Sequence, residues 1–216
     1  MKSDAAGFVL AGGRSTRMGA DKSLLHLNGQ PLATHALAIL RNAGLSASLA
    51  GGQQALAALA PLIEDRQPGL GPLSGICAAL ASTSARWAVV LPVDLPLLQA
   101  SLVACLLQHA KTTGNAITIP SINGFAQTFP AVLDHSVLST LQRELQSGHR
   151  GCFSAFQTAA RSLGQPISVI PVEDLVQCGQ VSHPLDLPAT RWFLNVNTIQ
   201  HLRQAEIHAE AVHRVS

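Results

Sequence analysis

Short apolar runs alternate along the chain with stretches whose apolar residues recur every three to four positions. Gly7-Phe8-Val9-Leu10 reads as a first buried strand, opening into Ala11-Gly12-Gly13. Leu32, Ala33, Ala36, Leu37, Leu40 and Ala43 form one helical stripe over 32–43. Residues 45–50 predict a second strand, 53–60 a short helix and 62–64 a third strand, before a Gly/Pro loop over 67–72. A helix over 73–81 precedes the strongest buried strand, 87–91, and a helix over 100–111 precedes a strand over 116–119. The second half is less regular. It predicts a strand over 128–133, helices over 137–147 and 152–162, a strand over 167–172 and a loop over 179–191. Phe193-Leu194-Asn195-Val196-Asn197 then leads into a last helix from about 199. Strand–helix alternation of this kind predicts an α/β fold with a mostly parallel sheet covered on both faces. Ligands of such folds sit at the carboxyl ends of the strands, and the unusual residues here all follow strands.

Composition narrows the classes. The 216 residues contain no internal repeat, low-complexity tract or linker, so a single domain over 1–216 is expected. At 47% hydrophobic and 12% charged, the chain is too apolar for disorder. A net charge of +2 is too close to neutral for a nucleic-acid surface. Met1 to Gly7 lacks the apolar core of a signal peptide, and no apolar run is long enough to span a membrane, so a cytoplasmic protein is expected. Cys77, Cys105, Cys152 and Cys178 have no metal-ligand spacing and read as free buried thiols. His201, His208 and His213, on the last helix, include no i,i+4 pair for a metal. Only 12 residues are acidic, so candidate carboxylates are few.

Four strand ends carry chemistry. After the first strand, Gly12, Gly13 and Gly19 permit close backbone approach to an anion, and Arg14, Arg17 and Lys22 add cations. This is a polyphosphate cradle or an ordinary glycine-rich turn; neither the Walker A spacing nor G-x-G-x-x-G is present. In Leu91-Pro92-Val93-Asp94-Leu95-Pro96, Asp94 follows the strand over 87–91, placed either to hold Mg²⁺ or simply to form a turn. Glu64-Asp65 ends the third strand and leads into Gly69-Leu70-Gly71-Pro72-Leu73-Ser74-Gly75, a backbone approach to a nucleotide or a helix-entry loop. In Asn195-Val196-Asn197-Thr198, alternation puts the two amides on one face if the segment is extended, to bind metal and substrate, while Thr198 can cap the last helix.

Leu-Ala-Gly-Gly-x-Ser-x-Arg-Met-Gly-x-Asp-Lys at Leu10 to Lys22 resembles the signature of nucleoside-triphosphate transferases with a Rossmann-like three-layer α/β/α core. Within that superfamily the chain is most similar to the molybdenum cofactor guanylyltransferases. The resemblance rests also on Asn28-Gly29-Gln30-Pro31-Leu32, Glu64-Asp65, Gly71-Pro72-Leu73-Ser74-Gly75-Ile76, Pro92-Val93-Asp94-Leu95-Pro96 and Asn195-Val196-Asn197-Thr198, spread over nearly the whole chain. It implies transfer of GMP from GTP to the phosphate of molybdopterin, with Mg²⁺ as cofactor and pyrophosphate released. By that resemblance Leu10, Ala11, Gly12, Gly13, Lys22, Asp65, Gly71 and Asp94 hold the nucleotide. Arg17, Lys22 and Asp94 act in catalysis, Asn195 and Asn197 meet the pterin substrate, and Asp94 with Asn197 binds the metal. By the same resemblance a half over about 5–110 binds the nucleotide and a late half over about 111–216 becomes the pterin side, with molybdoenzyme-maturation proteins a further partner class. Two stretches depart from the pattern: Ala50-Gly51-Gly52 stands where the family often has an Asn, and Gly124 to Phe129 matches the family's His-Pro segment loosely. The rival readings are a cytidylyltransferase acting on molybdopterin, a sugar-phosphate nucleotidyltransferase, and a nucleotide-binding regulator without turnover.

Overall fold

A computed structural model describes residues 3–12, 21–65, 67 and 69–210. Strand β1 (Ala5–Leu10) is followed by a 3₁₀ turn (Lys22–Leu24), a small hairpin of β2 (His26–Leu27) and β3 (Gln30–Pro31), and helix α1 (Leu32–Asn42). Then come β4 (Ala47–Ala50), a 3₁₀ turn (Gln54–Ala58), β5 (Leu62–Ile63), α2 (Pro72–Ala81), β6 (Trp87–Pro92), α3 (Ala100–Thr113), β7 (Ile117–Ile122) and β8 (Phe125–Ala126). The late part comprises β9 (Ala131–Asp134), α4 (Leu138–Gln146), α5 (Cys152–Ser162), β10 (Ser168–Pro171), α6 (Val172–Gln177), α7 (Ala189–Trp192) and α8 (Ile199–Glu210).

The main sheet runs β10-β7-β9-β6-β1-β4-β5, with β8 added beside β7. Pairs β1/β4, β1/β6, β4/β5 and β10/β7 are parallel. β9 lies antiparallel between β6 and β7 and makes the sheet mixed. Its reversal follows from the tight turn at Asn123 (φ 50°) and Gly124 (φ 77°), which sends the chain back along β7 with no crossover helix.

Alternate side chains of each central strand enter different cores. Val9, Val89 and Leu91 pack with Leu37 and Leu40 of α1 and Leu102 and Leu106 of α3. Phe8, Leu10, Ala88 and Val90 pack with Ile76 and Leu80 of α2, Leu141 of α4 and Phe156 of α5. The sandwich of helices, sheet and helices is the predicted three-layer α/β/α fold, and its double burial explains why β6 is apolar throughout. Helix α1 stops where Gly44 (φ 81°) turns left-handed: its N–H donates to Arg41 O and that of Leu45 to Leu40 O, closing the last turn.

Differences from expectation fall where elements are short. The hairpin β2–β3, β8, α6 and α7 were not predicted; two- to six-residue elements show too little periodicity to be read. Residues 172–177 turn helical because Val172 alone is buried there while Glu173 and Asp174 occupy the first turn, where carboxylates favour a helix N-terminus. No helix among the described residues is long and apolar enough to cross a membrane.

Candidate functional site

The carboxyl ends of β1 and β6 open into a cleft of about 700 Å³, within the usual size range of small-molecule sites. One wall is Leu10, Ala11 and Gly12 with Asp21 and Lys22; another is Pro92 to Leu95 with Pro72. The late half supplies Gln127, Thr128, Phe129, Phe193, Asn195 and Asn197.

At its centre Lys22 Nζ donates to Asp94 Oδ2 at 2.9 Å and to Asn197 Oδ1 at 2.5 Å, across 72 and 175 residues of sequence. Each partner is held by its own local structure. Asp21 caps the turn that begins at Lys22, its Oδ1 accepting from both the backbone N–H and the hydroxyl of Ser23. Asp94 follows β6, whose end is tied to β1 by the Val93 N–H donating to Leu10 O at 3.4 Å. Val196 is fully buried, and its N–H donates to Asp94 O at 2.9 Å. That anchor leaves Asn195 and Asn197 exposed along the cleft wall. The expected alternation of these amides therefore holds in a coil, without the strand that suggested it. Thr198 caps α8 as expected, accepting from His201 N–H at 3.1 Å, while His201 Nδ1 accepts from the Asn197 N–H at 3.3 Å.

The side chains of Lys22 and Asp94 are only 18% and 20% exposed, so the pair is largely withdrawn from water. Asp94 Oδ1 is buried with no hydrogen-bond partner among the described residues. An unpaired buried acceptor costs about 1–3 kcal/mol, more when charged, and a further donor or cation at that oxygen relieves it. The two Asp94 oxygens and Asn197 Oδ1 are hard oxygen donors of the kind that bind Mg²⁺ together with substrate phosphates. No group of three or more His, Cys, Asp or Glu positioned for a metal occurs among the described residues, so a cation here would depend on ligands brought by the substrate.

Backbone proximity shapes the floor. A Cβ on Gly51 would lie 3.2 Å from Gly12 Cα, and one on Gly52 (φ 100°) would lie 2.7 Å from Leu56 Cδ1 and 3.2 Å from Ala11 O. The departure Ala50-Gly51-Gly52 is thus a close packing of two strand ends rather than a side-chain contact. Asp65, at the end of β5, lies next to this floor but outside the lining of the cleft. Its Oδ1 accepts from Gln67 N–H at 2.9 Å and from the Ser74 hydroxyl. Gly71 (φ 85°) starts α2 with open space beside it, one residue before the lining Pro72.

The structure thus brings Leu10, Ala11, Gly12, Lys22, Asp94, Asn195 and Asn197 into one cleft, with Asp65 and Gly71 at its margin. Gly13 and Arg17 lie outside the described residues. Sequence reasoning missed Asp21, Pro72, Gln127, Thr128, Phe129 and Phe193 as lining residues. Of these, Asp21 and Pro72 stood inside the signature motifs and Gln127 to Phe129 inside the loosely matching stretch, while Phe193 carried no signal beyond its apolar run. The thiols are free, but two are not buried: Cys105 is half-buried, and Cys178 is exposed where it closes the short α6. Burial, with Asp65 nearby, pushes the Cys77 thiol up to about 11. Burial, with Cys77 nearby, pushes Cys152 up to about 12.

Comparison with known proteins fits this geometry. A relative in Cupriavidus metallidurans, described as a molybdenum cofactor guanylyltransferase, is 31% identical, with 97% of this chain and 98% of the relative covered. One in Opitutus terrae, described as a "Probable molybdenum cofactor guanylyltransferase", is 32% identical over 84% of this chain and 92% of the relative. The solved structure of molybdopterin-guanine dinucleotide biosynthesis protein A from Archaeoglobus fulgidus shares the fold, with a TM-score of 0.76 at 22% identity, covering 95% of this chain and 99% of that one. Residues 7–165 match the model of the MobA-like NTP transferase domain, and the chain belongs to that family.

Proposed function

We propose that the protein transfers GMP from GTP to the terminal phosphate of molybdopterin, forming molybdopterin guanine dinucleotide and pyrophosphate. The reading is carried by the convergence of Lys22, Asp94 and Asn197 in a cleft at the strand ends of a chain of this family. It is supported by relatives over nearly full length that are described as molybdenum cofactor guanylyltransferases. A phosphate oxygen of the acceptor forms a bond to the α-phosphorus of GTP as the bond from that phosphorus to the α–β bridging oxygen breaks, and pyrophosphate leaves. Such transfer depends on in-line positioning and on neutralising charge, with no covalent nucleophile from the protein.

Each residue then has a role. Asp94 and Asn197 would hold Mg²⁺, which when bound lowers the charge repulsion between the phosphates and eases departure of pyrophosphate. Lys22, released from these two oxygens, turns its ammonium to the departing pyrophosphate. The backbone of Leu10, Ala11 and Gly12 carries the nucleotide along the end of β1, and on sequence grounds Gly13 and Arg17 extend that cradle. Asp65 and Gly71 meet the nucleoside, and Asn195 binds the acceptor. Purified protein with Mg²⁺, GTP and molybdopterin should release one pyrophosphate per dinucleotide formed. Pyrophosphate release independent of molybdopterin, or none with it, would contradict the proposal.

A further inference from the structure

We propose that Ser74 is a positioning residue that fixes Asp65 to receive a single hydrogen-bond donor from the bound nucleoside. The inference rests on the reading of Asp65 as a nucleoside contact and goes beyond it. Ser74 lies in the first turn of α2 and is buried, 3% exposed. It donates to Asp65 Oδ1 and lies 3.2 Å from Gln67 O, while Gln67 N–H donates to the same Oδ1 at 2.9 Å. Both lone pairs of Oδ1 are therefore engaged, and Oδ2 takes no hydrogen bond among the described residues. A carboxylate so filled offers a ligand one oxygen rather than two. It cannot grip the two adjacent donors of guanine in the bidentate manner of a free carboxylate, so any second base donor falls to a backbone carbonyl.

Asp65 sits where that one oxygen matters. A Cβ built on Gly51 would come 3.9 Å from Asp65 Cβ and 3.2 Å from Gly12 Cα, so Asp65 stands beside the backbone at the end of β1, where Gly12 lines the cleft. Rotation of an Asp carboxylate about its last torsion meets only broad, shallow wells. The Ser74 hydroxyl, anchored in a buried helix turn, is what selects one of them. The donor it serves is an N–H of the base or a hydroxyl of the ribose, which share this chemistry.

Calorimetric titration with GTP and Mg²⁺ tests the proposal, with circular dichroism verifying each fold. Ser74→Ala should weaken GTP about five- to tenfold, less than the loss of a direct hydrogen bond to a charged group, because Ser74 acts through Asp65. KM should rise by the same factor while kcat stays within about twofold, and Ser74→Thr, which keeps the hydroxyl, should restore much of the affinity. In an Asp65→Ala background the same Ser74→Ala change should have no further effect. ITP and N1-methyl-GTP each remove a base donor, and 2′,3′-dideoxy-GTP removes the ribose hydroxyls. The wild-type penalty against whichever analogue lacks the partner of Asp65 should shrink in Ser74→Ala. Asp65→Ala weakening GTP while Ser74→Ala binds like wild type would overturn the positioning role, as would equal losses from Ser74→Ala in both backgrounds. Asp65→Ala binding like wild type would instead overturn the role of Asp65 itself.

Discussion

Replacing Asp94 by alanine should remove transfer while sparing the fold, and the structure sets the size of both effects. The change keeps the backbone carbonyl that accepts from the Val196 N–H at 2.9 Å, so the late segment stays docked. Its neighbours Val93 and Leu95, 6% and 4% exposed, stay buried, and Lys22 keeps Asn197 Oδ1 as an acceptor. Loss of the Lys22 ion pair is offset by loss of the orphaned Oδ1, so stability should change by no more than about 1–2 kcal/mol. Catalysis has no such offset. Removing one preorganised charge-stabilising group costs about 3–4 kcal/mol, or 10²–10³ in rate, and loss of a metal ligand adds to that. Asp94→Asn isolates the charge, because it keeps the shape and an acceptor for Lys22. Single-turnover pyrophosphate release at saturating Mg²⁺, beside thermal melts of both variants, makes the comparison. Turnover within tenfold of wild type in Asp94→Ala would refute the reasoning.

Three further outcomes follow from the geometry. With thiols pushed up to about 11 and about 12, Cys77 and Cys152 should resist iodoacetamide at pH 8 while exposed Cys178 reacts, as intact-mass analysis of the native protein would register. Gly52→Ala should destabilise by about 1–3 kcal/mol in urea titration, because it combines a φ of 100° with a Cβ 2.7 Å from Leu56 Cδ1. Burial alone would raise the Asp134 carboxyl, but hydrogen bonds from Arg86 and Ser136 outweigh it and hold the group below its ordinary 3.8. Its contribution to stability is therefore present above that value and lost as pH falls through the lower folded value; Asp134→Asn should be less stable than wild type at pH 7 and converge with it in acid, as denaturation across that range would test.

The chain made its sheet legible because both faces of the sheet are buried. Runs such as Trp87 to Leu91 have no polar alternation, and the stripe Leu32 to Leu40 has a clear helical period. What stayed illegible was short or long-range. The antiparallel insertion of β9 depends on a turn at Asn123-Gly124 and on the space left between β6 and β7, not on the composition of Ala131–Asp134. The site was legible residue by residue at Lys22, Asp94 and Asn197, because unusual residues followed apolar runs. Their contact across 175 residues was not, since no local pattern encodes which strand ends are neighbours. Phe129 and Phe193 read as ordinary apolar residues, and only the closure of the late half over the cleft makes them walls.

The central claim is guanylyl rather than other nucleotidyl transfer, and an equimolar competition measures it most directly. The protein is incubated with Mg²⁺, molybdopterin and equal concentrations of GTP, CTP, ATP and UTP, and the dinucleotide products are identified by mass. A guanine site leaves its acceptors unpaired when another base enters, at about 1–3 kcal/mol, so the guanine dinucleotide should exceed each of the others by at least about tenfold. A product mixture without preference, or mainly the cytosine dinucleotide, would contradict the guanylyl assignment and leave nucleotidyl transfer standing.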